Sequence, residues 1–308
     1  MTDLTQFQRQ CLSDLPEVCL LFNEPLAKHT SFRIGGPAEV MAFPKSREQL
    51  AAVLKMSALM DTKPAILGAG TNILAPDSGK KGIVICLKDG LSRMERLDDT
   101  HIFLGGGVTM TRGAVFAAKQ GLSGLEFAHG IPGTVGGGVY MNAGAYGGEI
   151  RDVCRQVHIM AMDGTEYCRE ADQMQFSYRH SCLAEKPGIV LGAVFALTPA
   201  APEQVQEKMQ ELAAKRKASQ PLDKPSAGST FKRPAQGYAA ALIEAAGLKG
   251  LHVGGATVSE KHAGFVVNLG GATAADVLAL MAQVQQRVYE SSGVRLEPEV
   301  RLWGSGEE

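Results

Sequence analysis

Two stretches of the chain hold glycines where a bound anion would call for bare backbone. The first, Leu67-Gly68-Ala69-Gly70-Thr71-Asn72, follows the apolar run Ala65–Leu67. Main-chain N–H groups at the end of such a strand are well placed to approach a pyrophosphate. The second, Gly130-Ile131-Pro132-Gly133-Thr134-Val135-Gly136-Gly137-Gly138, runs on to Asn142-Ala143-Gly144-Ala145-Tyr146-Gly147-Gly148. Each glycine costs conformational entropy on folding, so this density implies a demand for exposed backbone. A dinucleotide laid along the chain explains both loops at once, while a plain strand-turn accounts for the first loop taken alone.

The first loop resembles the start of a Rossmann fingerprint, with Asp89 at about the spacing of a ribose-binding acid. Ile73 stands where the third glycine belongs, and Leu74–Gly79 cannot form the crossover helix that parallel pairing demands. The expectation is a phosphate-cradling loop of a different flavin fold. Ser229-Thr230-Phe231-Lys232 matches the S-x-x-K of serine acyl-enzymes, but the partner S-D-N and K-T-G motifs are missing. Ser229 is then either a turn residue or a proton donor beside an anion-binding lysine. None of the seven histidines pairs as H-E-x-x-H or lies at ligand spacing from cysteine, so no catalytic metal is expected. His180 and His262 are expected as polar lining or satisfied core groups.

Short β-like runs position these loops: 38–43, 65–67, 83–87 and 101–104. Ser46 to Gln49 forms a capping box that opens a helix to about Leu59, and 109–120 is a second helix. Asp163-Gly164 divides the alternating runs of a hairpin over 157–169, and 188–197 is a further strand. A polar helix over 202–218 ends at Gln220-Pro221; beyond it lie helices at 238–246 and 273–290 and strands at 265–268 and 296–302. The class is α+β throughout.

At 308 residues the chain is expected to hold two or three subdomains rather than one core. Hydrophobic residues make up 45% and charged residues 20%, with Lys plus Arg at 31 against Asp plus Glu at 32. That balance provides no net field for nucleic acid or an anionic membrane, so any anionic ligand must be held by local groups. No stretch is long enough to span a bilayer, and residues 1–17 lack the apolar core of a secretory signal. The scattered Cys11, Cys19, Cys86, Cys154, Cys168 and Cys182 read as reduced thiols of a cytoplasmic protein.

From Asn23 to Gly304 the chain resembles the UDP-N-acetylenolpyruvoylglucosamine reductases, flavoenzymes that complete UDP-N-acetylmuramic acid for peptidoglycan. The resemblance is carried by His29-Thr30-Ser31-Phe32-Arg33-Ile34-Gly35-Gly36, Leu67–Leu74, Gly130–Gly137, Phe176-Ser177-Tyr178-Arg179, Ala227–Lys232, Lys261-His262-Ala263-Gly264-Phe265 and Leu296-Glu297-Pro298-Glu299-Val300-Arg301. It implies an FAD-binding fold of the vanillyl-alcohol oxidase type in residues 23–200, in subdomains 23–92 and 93–200. Residues 1–22 would be an N-terminal extension, and 201–308 a C-terminal α+β domain that closes over substrate. The spacing from Phe176 to Gly192 has no room for the extra substrate loop of one branch, which implies the shorter second type.

The resemblance also implies the chemistry. NADPH reduces FAD, and a hydride then attacks the terminal methylene of UDP-N-acetylglucosamine enolpyruvate. Arg179 clamps the carboxylate on which charge develops, Glu299 is a protonated donor to the same carboxylate, and Ser229 donates a proton to the adjacent carbon. Arg33, Gly68, Ala69, Gly70, Thr71, Asn72, Gly130, Gly133, Thr134, Gly136 and Gly137 would hold FAD. Tyr178, Lys232 and Arg233 would hold the substrate, with Arg233 standing where many members have Asn. No histidine lies in 68–72, so the flavin is expected to be non-covalent, against the runner-up of an FAD-linked oxidase. A non-catalytic flavin or nucleotide-sugar binding protein is the rival from another class.

Overall fold

A computed structural model describes residues 4–304. Expectations for residues 1–3 and 305–308, the outer ends of the N-terminal extension and the C-terminal domain, lie outside the described residues. Two compact units share the chain: the first takes residues up to 22, 39–69 and 82–216, the second 23–38, 70–81 and those from 217 on. The expected partition cut the chain at 22, 92 and 200, whereas the units exchange segments. Hydrogen bonds explain why 23–38 and 70–81 belong with the later residues. Asn268 Nδ2 donates to Phe32 O at 3.0 Å, and the Asp77 carboxylate accepts from Ala274 N (2.7 Å) and Ala275 N (3.0 Å). Phe32, Ile34 and Leu74 are buried in that unit's core.

In the first unit an antiparallel sheet orders its strands Glu166–Glu170, Cys154–Ala161, Gly188–Ala196, His101–Gly105 and Met94–Arg96. Its Asp163-Gly164 turn forms as expected, with Gly164 in the left-handed region (φ 88°) and Asp163 Oδ1 accepting from Thr165 N. A second sheet orders Cys19–Pro25, Pro37–Phe43, Lys80–Cys86 and Ala65–Leu67. Its last two strands are parallel, Ile66 opposite Ile85. The premise that parallel pairing there needs a crossover helix is therefore corrected: the connection carries no helix, only the two-residue strand Ile73–Leu74.

Local signals account for the helices. Ser46 caps Arg47–Leu59 by accepting from Gln49 N, but the Gln49 side chain accepts from Lys45 N at 2.7 Å rather than closing the box on Ser46. Residues 1–22, expected as an extension that no local signal ordered, contain the helix Gln6–Asp14, with a full Thr5–Gln8 capping box. Its Cys11 and the following Leu15, four apart, are buried in the core with Leu50, Val53, Leu54 and Ile85.

The second unit packs the helix Ala274–Ser292 with an antiparallel sheet of His252–Val253, Ala256–Val258 and Val266–Asn268. Ala274, Val277, Leu280, Met281, Val284 and Val288 repeat at three- and four-residue steps and are buried. Burying each of the valine, leucine and methionine side chains among them contributes about 1.5–3 kcal/mol. The strand expected over 296–302 is regular only at Arg301–Leu302, parallel to Ile73–Leu74, because Pro298 has no N–H for a ladder.

Candidate functional site

The first unit brings the two glycine loops together. A Cβ on Gly68 would stand 2.6 Å from Thr134 Oγ1, so the absent side chain is what lets them meet. The N–H groups of Gly68 and Ala69, and of Gly70 where the chain enters the second unit, make no hydrogen bond among the described residues. Gly70 is buried, and a buried unpaired N–H is rare unless something binds it. The second loop departs from expectation. Val135–Tyr140 is a short helix capped by Thr134, whose Oγ1 accepts from Gly137 N at 3.3 Å. Gly136 N donates to Gly106 O (2.8 Å) and Gly138 N to Thr134 O (2.8 Å). Close packing accounts for part of the glycine density: a Cβ on Gly138 would meet Met110 Sδ at 2.8 Å, and one on Gly148 the Phe127 ring at 2.7 Å.

Two further groups edge this loop. Arg216 lies across Gly130, its Cδ 3.0 Å from where a Cβ would stand, and burial lowers its pKa. His129 Nδ1, beside Gly130, is buried with no hydrogen-bond partner among the described residues. Gly133 takes φ 140°, and its carbonyl accepts from Met110 N.

Arg179 sits in the same unit, at the tip of a turn in which Ser177 and His180 exchange hydrogen bonds at 3.2 Å. Its φ is 56°, the left-handed region, a local strain that surrounding contacts must sustain. Its guanidinium lies 4.8 Å from the centre of the exposed Tyr178 ring, and Nη2 donates to Gly144 O at 3.3 Å. The neighbouring His180 pairs with Glu185 at 2.7 Å.

The second unit joins Ser229, Glu299 and Asn72 through backbone. Glu299 N donates to Thr230 O (2.8 Å), Lys232 N to Glu297 O (2.8 Å) and Thr230 N to Gly264 O (2.8 Å). Ser229 is exposed between Gly228 (φ 77°) and the buried Thr230, whose Oγ1 accepts from Val266 N; Glu299 is half-buried. The Asn72 amide, expected at the cofactor, donates to Glu299 O at 3.1 Å, and Asn72 O accepts from Arg301 N. Thr71 beside it is half-buried. Ser31 ties the Arg33 turn to both Gly70 O and Ser226 O, and exposed Arg33 is also left-handed, at φ 56°. Lys232 Nζ pairs with Glu297 at 3.4 Å, and Arg233 lies over the Tyr238 ring at 4.2 Å. His262 is satisfied, its Nδ1 accepting from Gly264 N at 3.1 Å.

The family model for an FAD binding domain matches residues 38–167, and that for the C-terminal domain of UDP-N-acetylenolpyruvoylglucosamine reductase matches 220–303. The chain is 47% identical to the UDP-N-acetylenolpyruvoylglucosamine reductase of Agathobacter rectalis over 97% of this chain and 98% of that protein. Identity to that of Caldanaerobacter subterraneus subsp. tengcongensis is 46%, over 94% and 95%. This chain belongs to the UDP-N-acetylenolpyruvoylglucosamine reductase family. The solved structure of the reductase from Thermus caldophilus matches with a TM-score of 0.79 at 35% identity, covering 93% of this chain and 99% of that one.

As a member of an FAD-dependent oxidoreductase family with an FAD-binding domain, the chain must offer its flavin a cradle, and the first unit fits. Among the described residues the Gly68 and Ala69 amides and His129 Nδ1 have no hydrogen-bond partner, and the missing Cβ of Gly68 opens the approach to Thr134. No helix of the described residues is long and apolar enough to cross a membrane. Sequence reasoning gave no individual role to Asn142, Asp77 or Arg216. The Asp77 role as a cap on a helix 197 residues away has no local signature.

Proposed function

We propose that this chain catalyses the NADPH-dependent reduction of UDP-N-acetylglucosamine enolpyruvate to UDP-N-acetylmuramate, in the cytoplasm, with FAD held non-covalently by Arg33, Gly68–Asn72 and the Gly130–Gly137 loop. When bound, FAD would supply the two-electron chemistry by which the hydride of NADPH reaches the terminal methylene carbon of the enolpyruvyl group. Negative charge then builds toward the substrate carboxylate. The Arg179 guanidinium offsets that charge, an electrostatic contribution worth about 10²–10³ in rate. Glu299 donates to the same carboxylate, and the Ser229 hydroxyl gives its proton to the neighbouring carbon, to be recharged from water. Tyr178, Lys232 and Arg233 hold the diphosphate and sugar.

The observation that best supports this reading is the hydrogen-bonded pairing of 230–232 with 297–299, which makes neighbours of the Ser229 and Glu299 segments across 70 residues of sequence. The test separates the half-reactions under anaerobic conditions. Ser229→Ala should leave flavin bleaching by NADPH near normal and slow reoxidation by the enolpyruvyl sugar by about 10²–10⁴. Equal losses in both halves would remove the proton-donor role. A colourless protein that FAD cannot reconstitute would remove the flavoenzyme reading itself.

A further inference from the structure

Asn142 is fully buried, with φ 42°, and its side chain bonds both to Ser177, two residues before Arg179, and to the 149–151 segment of its own loop. Nδ2 donates to Ser177 O and to Glu149 Oε2, both at 3.0 Å, while Oδ1 accepts from Arg151 N at 2.9 Å. Two donors and one acceptor in this arrangement fit an amide and not a carboxylate. Ser177 opens the four-residue turn that carries Arg179. Ser181, at its far side, is completely buried and donates to Tyr140 O at 2.8 Å. Residues 140 and 142 thus grip the turn from both ends, and Gly144, two residues on, receives the guanidinium itself.

We infer that Asn142 is a positioning residue for the reduction: by holding Ser177 O and the 142–151 loop in one place, it aims the Arg179 guanidinium. The strain of a left-handed arginine needs such over-determination, and a catalytic group displaced by about 1 Å loses on the order of 10²-fold in rate. This inference rests on the role given to Arg179 above.

Stopped-flow measurement of the two half-reactions in the FAD-loaded enzyme tests it, with Asn142→Asp, Arg179→Ala and the double variant. Asn142→Asp sets a carboxylate against Glu149 and the Ser177 carbonyl. It should slow reoxidation by the enolpyruvyl sugar about 10- to 100-fold, with reduction by NADPH unchanged. Because Asn142 acts through Arg179, the double variant should be no slower than Arg179→Ala alone. If Asn142→Asp does not fold, Asn142→Ser carries the same comparison. Losses that multiply in the double variant, or an equal slowing of both half-reactions, overturn the positioning role while leaving Arg179 in place. An Arg179→Ala enzyme with normal reoxidation overturns both.

Discussion

An alanine at position 68 would set its methyl carbon 2.6 Å from Thr134 Oγ1 and 3.7 Å from Thr134 Cβ and Cγ2. Ordinary contact is about 3.5 Å, so the hydroxyl must retreat by roughly 1 Å. Thr134 is only 2% exposed, and its Oγ1 caps Gly137 N, so it cannot rotate without giving up that hydrogen bond. Losing the cap costs about 1 kcal/mol and forcing a methyl into a packed site about 1–3 kcal/mol, so Gly68→Ala should destabilise the protein by about 2–4 kcal/mol. Thr134→Ala alone should cost about 1 kcal/mol. The double variant has no hydroxyl left to collide with, and should cost little more than Thr134→Ala, not the sum. Urea denaturation of the flavin-free protein reads these differences, and flavin fluorescence should show FAD bound at least about tenfold more weakly by Gly68→Ala. Costs that add to within about 0.5 kcal/mol, or an alanine variant with unchanged stability and FAD affinity, would refute the argument that the two loops meet through the missing side chain.

Asp77→Ala leaves the first two amides of the helix Ala274–Ser292 without their carboxylate while the Thr273 capping box remains; a loss of about 1–2 kcal/mol in urea denaturation is expected. An unchanged midpoint would contradict it. Burial holds the His262 imidazole below its ordinary pKa of 6.5, and its Nδ1 is engaged as an acceptor from Gly264 N. Below that pH the unfolded chain takes up a proton that the folded ring resists, so this contribution is complete above pH 6.5 and lost as pH falls through the lower folded value. His262→Gln should therefore flatten the decline in stability between pH 7.5 and 5, and a variant with the wild-type slope would show that the decline originates elsewhere.

Periodicity and caps were legible without coordinates wherever the partners are a few residues apart. Ser46 and Thr109 cap the helices they were expected to begin, and Asp163-Gly164 turns its hairpin. The Thr5–Gln8 box was equally local and simply passed over. Family motifs named Ser229, Glu299 and Arg179, since residue types in ordered spacing survive in a string.

The string itself carried most of the helices and strands, because helix periods, caps and turn residues are properties of neighbours. Tertiary structure alone decided that 23–38 and 70–81 join the C-terminal residues, that Ala65–Leu67 pairs in parallel without a helix between, and which glycines are bare because another segment packs against them. It also decided that one buried asparagine holds the arginine's turn. Such facts depend on what approaches from far along the chain: a glycine records only that something must come close, and an amide only that partners exist.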